Sequence, residues 1–152
     1  MANTQSMCTS FMGELLTATH NFTTGTGDTF KAALYLSSAT YNASTTAYSA
    51  TGEVSGTNYT AGGVVVTNGT SPSSTNASAT AGTAYWTPSA SLVYTNVTLT
   101  TAFNAVLIYN SSKSNKAVSV HTFGDQTVTA GTFTLTMPSN TTSTALLRLA
   151  TT

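Results

Sequence analysis

The chain has very little charge. Only four Lys/Arg and four Asp/Glu occur in 152 residues, so charged side chains make up 5% of a sequence whose net charge is zero. An ordinary soluble domain carries about a quarter. Nucleic-acid binding needs a basic patch to neutralise phosphates. Lys31, Lys113, Lys116 and Arg148 provide just one close pair, which excludes that partner class. Cysteine is equally scarce. Cys8 stands alone, so there is no disulfide framework and no CxxC metal pair; it reads as a small, partly buried hydrophobe. No apolar run approaches the ~20 residues that span a bilayer as a helix, and no membrane partner is expected. Met1–Gln5 lacks the basic and apolar regions of a signal peptide. The eight Asn-x-Ser/Thr sequons, Asn21, Asn58, Asn96 and Asn140 among them, are therefore read as compositional.

What is abundant is Thr and Ser, together more than a third of the chain. Threonine suits a strand, because its branched Cβ packs on the pleat while its hydroxyl faces water. Apolar residues still reach 40%, with six Phe, seven Tyr and one Trp, which is enough for the core of a single domain. The disordered signature of low hydrophobicity with high net charge is absent.

Residues 1–28 differ from the rest. Phe11, Met12, Leu15 and Leu16 recur at helical spacing behind Ser10, a candidate N-cap, and predict one or two helical turns in an N-terminal arm. From Thr29 the period changes to two. Phe30–Leu36 reads as a strand, Glu53–Tyr59 as a short one broken by Gly56, and Val64–Val66 as a strand buried on both faces. Residues 68–82 read as a long loop. In the second half, Leu92–Thr100 alternates, with Val93, Thr95, Val97 and Leu99 on one side. Ala105–Tyr109 is the most apolar run, and 110–115 is a polar hairpin loop. Ala117–Phe123 follows, then a turn at Gly124-Asp125, a strand through Phe133, Leu135 and Met137, and a last one at 146–149. About eight short strands separated by Gly, Pro and Asn turns predict an all-β fold, an antiparallel β-sandwich or jelly roll over 29–152.

Chemistry-bearing groups are few and scattered. His20 and His121 are the only histidines, and no nucleophile, base and orienter can be assembled around either. Glu14, Asp28, Glu53 and Asp125 form neither a glycosidase pair motif nor a metal-binding loop. Gly25-Thr26-Gly27 lacks the lysine and helix of a phosphate loop. Tyr35, Tyr41, Tyr48, Tyr59, Tyr85, Trp86, Tyr94 and Tyr109 read chiefly as sheet and interface material, with a sugar platform as the rival. No catalytic residue, cofactor or metal is expected.

Several stretches together form a pattern: 27–35 (GDTFKAALY), 45–56 (TTAYSATGEVSG), 59–63 (YTAGG), 105–110 (AVLIYN) and 128–133 (VTAGTF). This pattern, over about residues 10–150, resembles small virion structural proteins of tailed bacteriophages. The resemblance carries no catalytic motif. It implies a non-enzymatic virion protein made in the host cytoplasm, most directly a head decoration or cement protein that contacts the major capsid protein or other virion proteins and forms a homo-oligomer. Phe11, Met12, Leu15 and Leu16 are then the candidate subunit contact. A tail-associated or fibre-tip module that binds a host glycan is the alternative.

Overall fold

One hairpin dominates the molecule. The structure is a computed structural model that describes residues 2–75 and 82–151. In it, β6 (Leu92–Asn110) and β7 (Lys116–Leu135) run antiparallel for 19 and 20 residues. The turn between them places Ser114 and Asn115 at φ 52° and 58°, the left-handed region that a short polar side chain such as asparagine tolerates. Strands of this length far exceed the usual five or six residues. The pair survives by bending. Between Leu99 and Phe103 β6 advances four residues while β7 moves only from Val128 to Gln126, so two extra residues bulge on β6.

The bend folds the far half of the hairpin over the near half. The Tyr94 hydroxyl donates to the Ala32 carbonyl at 2.8 Å, and the Phe133 ring meets Phe103 edge-on at 5.0 Å. Leu92 and Leu135 share a small cavity with Val106 and Ile108. The turn expected at Gly124-Asp125 lies instead within β7, as a bulge where β7 moves from Gln126 to Thr122 while β6 moves from Phe103 to Ala105, and the four separate strands expected over 92–137 are two. The phase of β6 also differs from the simple alternation. Val97 and Leu99 are buried, but Val93 and Thr95 are exposed and Leu92 and Tyr94 face in. Asn96, at φ 52°, interrupts the pleat between them.

The main sheet is completed by β1 (Ser6–Met7), β2 (Phe30–Leu36) and β3 (Val64–Val65), in the order β1-β7-β6-β2-β3. β2 pairs with β6 from Phe30↔Asn110 to Leu36↔Phe103, and Ala32 to Tyr35 are buried on both faces. One face is covered by the 37–63 segment, where Tyr41 packs on Tyr35 and Tyr48 stacks on Tyr109. Glu53 fastens that cover, accepting from the Tyr48 and Tyr59 hydroxyls at 2.6 and 2.8 Å and from the Gly62 N–H at 2.7 Å. Residues 53–59 make only isolated bridges, Tyr35↔Glu53 and Thr57↔Thr98, rather than the expected strand. β3 is an edge with Val65 59% exposed, so it is not buried on both faces. It can lie beside β2 because Gly63, at φ 73°, has no Cβ, which would sit 1.7 Å from the Ala32 oxygen.

A second sheet, β4 (Ser73–Ser74), β5 (Thr83–Trp86) and β8 (Leu147–Ala150) in the order β4-β5-β8, makes the molecule an antiparallel β-sandwich. Trp86 fixes it in place. Its ring packs on Phe22 and Phe30, and its N–H donates to Asn68 Oδ1 and the Thr70 carbonyl. The loop expected over 68–82 thus contains β4; its residues 76–81 lie outside the described residues.

The N-terminal residues are woven into the same body. Ser6 and Met7 pair with Val120 and Ser119, the Cys8 N–H bonds the Val118 carbonyl, and Cys8, Phe11 and Phe22 belong to the core. The helix α1 spans Thr9–Leu16, about two turns. It starts two residues earlier than a Ser10 cap predicts: the N-cap is Cys8, in extended geometry with no side-chain cap, and the Ser10 hydroxyl is buried within the helix, with no hydrogen-bond partner among the described residues.

Candidate functional site

Helix α1 separates its apolar residues into two groups. Phe11 turns inward, against the His20 ring at 5.0 Å and edge-on to Phe22 at 6.0 Å, and Phe22 stacks on Phe30 at 4.3 Å. Leu15, one turn on from Phe11, lines a cavity of about 100 Å³ between the helix and the second sheet, with Met7, Trp86 and Leu149 among its other walls. Met12 and Leu16 form the next stripe round the helix. They point away from the core, 45% and 90% exposed. Their exposure makes this side of α1 the candidate contact surface. The four residues singled out in the sequence thus lie on one helix, but Phe11 is spent within the chain, while Met12, Leu15 and Leu16 form or border the outer patch.

A buried polar network holds that helix at a fixed height. Asn110, at the end of β6 and fully buried, donates one amide hydrogen to His20 Nδ1 at 2.9 Å and the other to Asp28 Oδ2 at 2.8 Å. Its oxygen accepts from the Ser112 N–H at 3.1 Å. Asp28 can only accept and the Ser112 N–H can only donate, so the amide has one orientation and His20 Nδ1 must be an acceptor. The proton therefore sits on Nε2, which donates to Glu14 Oε2 at 2.8 Å. Lys116 takes the other Glu14 oxygen, and Lys113 lies 3.6 Å from Asp28. Burial raises the carboxyl pKa values of Glu14 and Asp28. For Glu14 the bonds from Lys116 and His20 outweigh it, and for Asp28 those from Asn110, the Asn21 N–H and Lys113 do, so both end below the usual value. Charge near α1 is thus consumed internally, and the patch outside it is neutral.

Among the described residues, the other polar groups lie in clusters apart from one another. Ser119 Oγ and His121 Nε2 are 2.9 Å apart, two residues along β7. The Ser119 backbone is flanked by Met7 on one side and Ile108 on the other, so the ladder occupies the N–H groups that an oxyanion hole needs. Burial lowers the His121 pKa to about 4, making it a weak base. Asp125, the carboxylate nearest His121 in sequence, accepts instead from Ser37 and Asn104. Asp28 and Glu53 sit in separate networks. Among the described residues no group of three or more His, Cys, Asp or Glu is placed to hold a metal ion. The rings considered for a sugar platform largely point inward: Tyr35, Tyr41, Trp86, Tyr94 and Tyr109 are buried.

No protein family, curated protein or solved structure matches this chain. The site rests on its own geometry. Met7, Phe22 and Leu149, which help to shape it, were not singled out in the sequence. Leu149 had a signal: it alternates with Leu147, which is the pattern of a strand with one face toward an apolar layer.

Proposed function

We propose that this chain is a structural protein of a tailed-phage particle, a decoration or cement subunit that attaches to the head lattice through the outer face of α1. The observation that carries this reading is that Met12 and Leu16 are exposed on the same helix whose Leu15 lines an apolar hollow. Each such side chain is worth ~1.5–3 kcal/mol when a partner covers it. The sequence resemblance supplies the particle; the patch supplies a means of attachment. The low charge suits a subunit packed among neighbours, since there is little self-repulsion to overcome. The major capsid protein is the partner this reading names.

The test mixes purified protein with capsids stripped of it. Wild type should bind to saturation, in numbers proportional to lattice sites. Met12→Lys with Leu16→Lys should fold with an unchanged melting temperature, because both positions face solvent, and should lose binding. A variant that decorates capsids as well as wild type removes α1 from the mechanism. A wild-type protein that ignores capsids but binds host cells replaces the cement reading with a tail-associated one.

A further inference from the structure

The sandwich has four terminal strands, and three of them are guarded. β1 is two residues long and its ends are tied to the 41–43 segment, through the Thr4 N–H to the Tyr41 carbonyl and the Thr9 N–H to the Ala43 carbonyl. β3 and β4 are two residues each. Short or covered edges are the usual protection against strand addition. β8 has neither. It is four residues long, ends its sheet, and has Arg148, Leu149, Ala150 and Thr151 all exposed.

The hydrogen-bond parity of β8 says which groups are free. The Thr151 N–H bonds the Gly82 carbonyl, in register with Thr83↔Ala150 and Ala84↔Leu149. Bonded positions alternate along an antiparallel ladder. Leu149 and Leu147 therefore direct their backbone groups toward β5, and Arg148 and Ala150 direct theirs to the open edge. Among the described residues no hydrogen bond to β8 comes from that side.

We infer that β8 pairs antiparallel with β8 of a second copy, about a two-fold axis through Leu149, joining two three-stranded sheets into one of six strands. Two registers fit the parity over most of the strand. A two-fold axis at Arg148 sets two guanidinium groups opposite each other with no carboxylate on the strand, and like charges directly opposite are destabilising. A two-fold axis at Leu149 sets Arg148 against Ala150 of the second copy, where both outward backbone pairs bond. It also brings the two Leu149 side chains together across the close, non-hydrogen-bonded position. Leu149 is 48% exposed in the single chain, and this contact gives its open side an apolar partner. A chain of zero net charge meets no long-range repulsion from its own copy. The contact is isologous and closes at two; it shares Leu149 with the wall of the hollow beside α1 but does not use Met12 or Leu16. Its test needs no capsid, so its outcome is read separately from the capsid reading.

The test uses the full chain. Sedimentation across a concentration series should show a species of twice the 15.6 kDa chain mass. Ala150→Pro removes an outward N–H without touching the β5 ladder and should leave the monomer alone, with an unchanged circular dichroism spectrum. Leu149→Cys should form a covalent dimer under mild oxidation, because directly opposed residues lie within disulfide reach. Arg148→Cys should not, because its counterpart is then a diagonal neighbour about 7–8 Å away. Cys8 does not interfere, being wholly buried. A wild-type chain that stays monomeric at every concentration overturns the inference. So does a dimer that survives Ala150→Pro, or cross-linking at 148 equal to that at 149.

Discussion

Replacing Asn110 with alanine tests the polar network under α1 more sharply than any other single change. Three bonds disappear together: to His20, to Asp28 and from the Ser112 N–H. The Ser112 N–H lies in a turn where water replaces the lost acceptor. The other two losses are costly. His20 Nδ1 is left as a buried acceptor without a donor, at ~1–3 kcal/mol, and a hydrogen bond to a charged group such as Asp28 contributes ~1.5–3 kcal/mol. The sum, about 2.5–6 kcal/mol, is a large share of the ~5–15 kcal/mol that holds a domain folded. Part of it depends on pH. In the wild type Asp28 titrates below its ordinary 3.8, since its bonds, that from Asn110 foremost, outweigh the burial that raises it. A depressed carboxylate stabilises the fold above its unfolded pKa, and that stabilisation is lost as pH falls through the folded pKa. Without Asn110 the Asp28 pKa moves back up. The gap between wild type and variant should therefore be widest at neutral pH and should narrow below about pH 4. Urea unfolding at pH 7 and near pH 3 measures both. A loss under about 1 kcal/mol at neutral pH refutes the satisfiability argument. A loss that stays constant on acidification refutes the Asp28 coupling.

Leu107→Ala should cost ~2–5 kcal/mol at any pH, since Leu107 is fully buried and touches no titrating group through a bond; it serves as the control for the Asn110 series. His121 should weaken the fold in mild acid. Its folded pKa of about 4 lies below the ordinary 6.5 because burial disfavours the charged ring, so stability is complete above 6.5 and declines as pH falls toward 4, by about 3 kcal/mol at most. His121→Gln should flatten the melting temperature between pH 7 and 4.5, and parallel curves for the two proteins would contradict it. Deleting residues 1–22 should abolish cooperative unfolding, because it removes β1, Cys8, Phe11 and the Phe22 ring stacked on Phe30; a truncated chain with a sharp melting transition would show the segment to be dispensable.

The sandwich class was legible because period-two alternation is a local property. Phe30–Leu36 and the polar turn after Asn110 read correctly for that reason. The long hairpin did not. Gly124-Asp125 carries the residues of a turn, and the chain does deform there, but as a bulge within β7 opposite Asn104 rather than as a break between two strands. β6 carries two extra residues between Leu99 and Phe103, and β7 carries two between Gln126 and Thr122, opposite Phe103 to Ala105, so each strand bulges in turn. A bulge of this kind is a tertiary feature that alternation alone does not reveal; its result is that Phe133 meets Phe103. The face of Val93 was misread for a related cause. Alternation assumes an unbroken pleat, and Asn96 at φ 52° breaks it, moving Val93 outward while Val97 stays in.

The fate of the N-terminal apolar residues shows where a pattern stops being informative about partners. Helical spacing groups Phe11 with Leu15 and Met12 with Leu16, and it predicts two stripes. It does not say which stripe meets the rest of the chain. That choice is made by His20 and Asn110, residues that read as unremarkable alone. The Asn110 amide can satisfy Asp28 and His20 together only if His20 keeps its proton on Nε2, and that proton fixes Glu14 on the side of α1 that faces Lys116. With Glu14 pinned there, the helix can present Phe11 to the core and must leave Leu16 outside. The exposed patch is thus a consequence of polar groups satisfied beneath it. Changing its apolar residues for polar ones should leave the fold intact, whereas changing the buried polar groups should not.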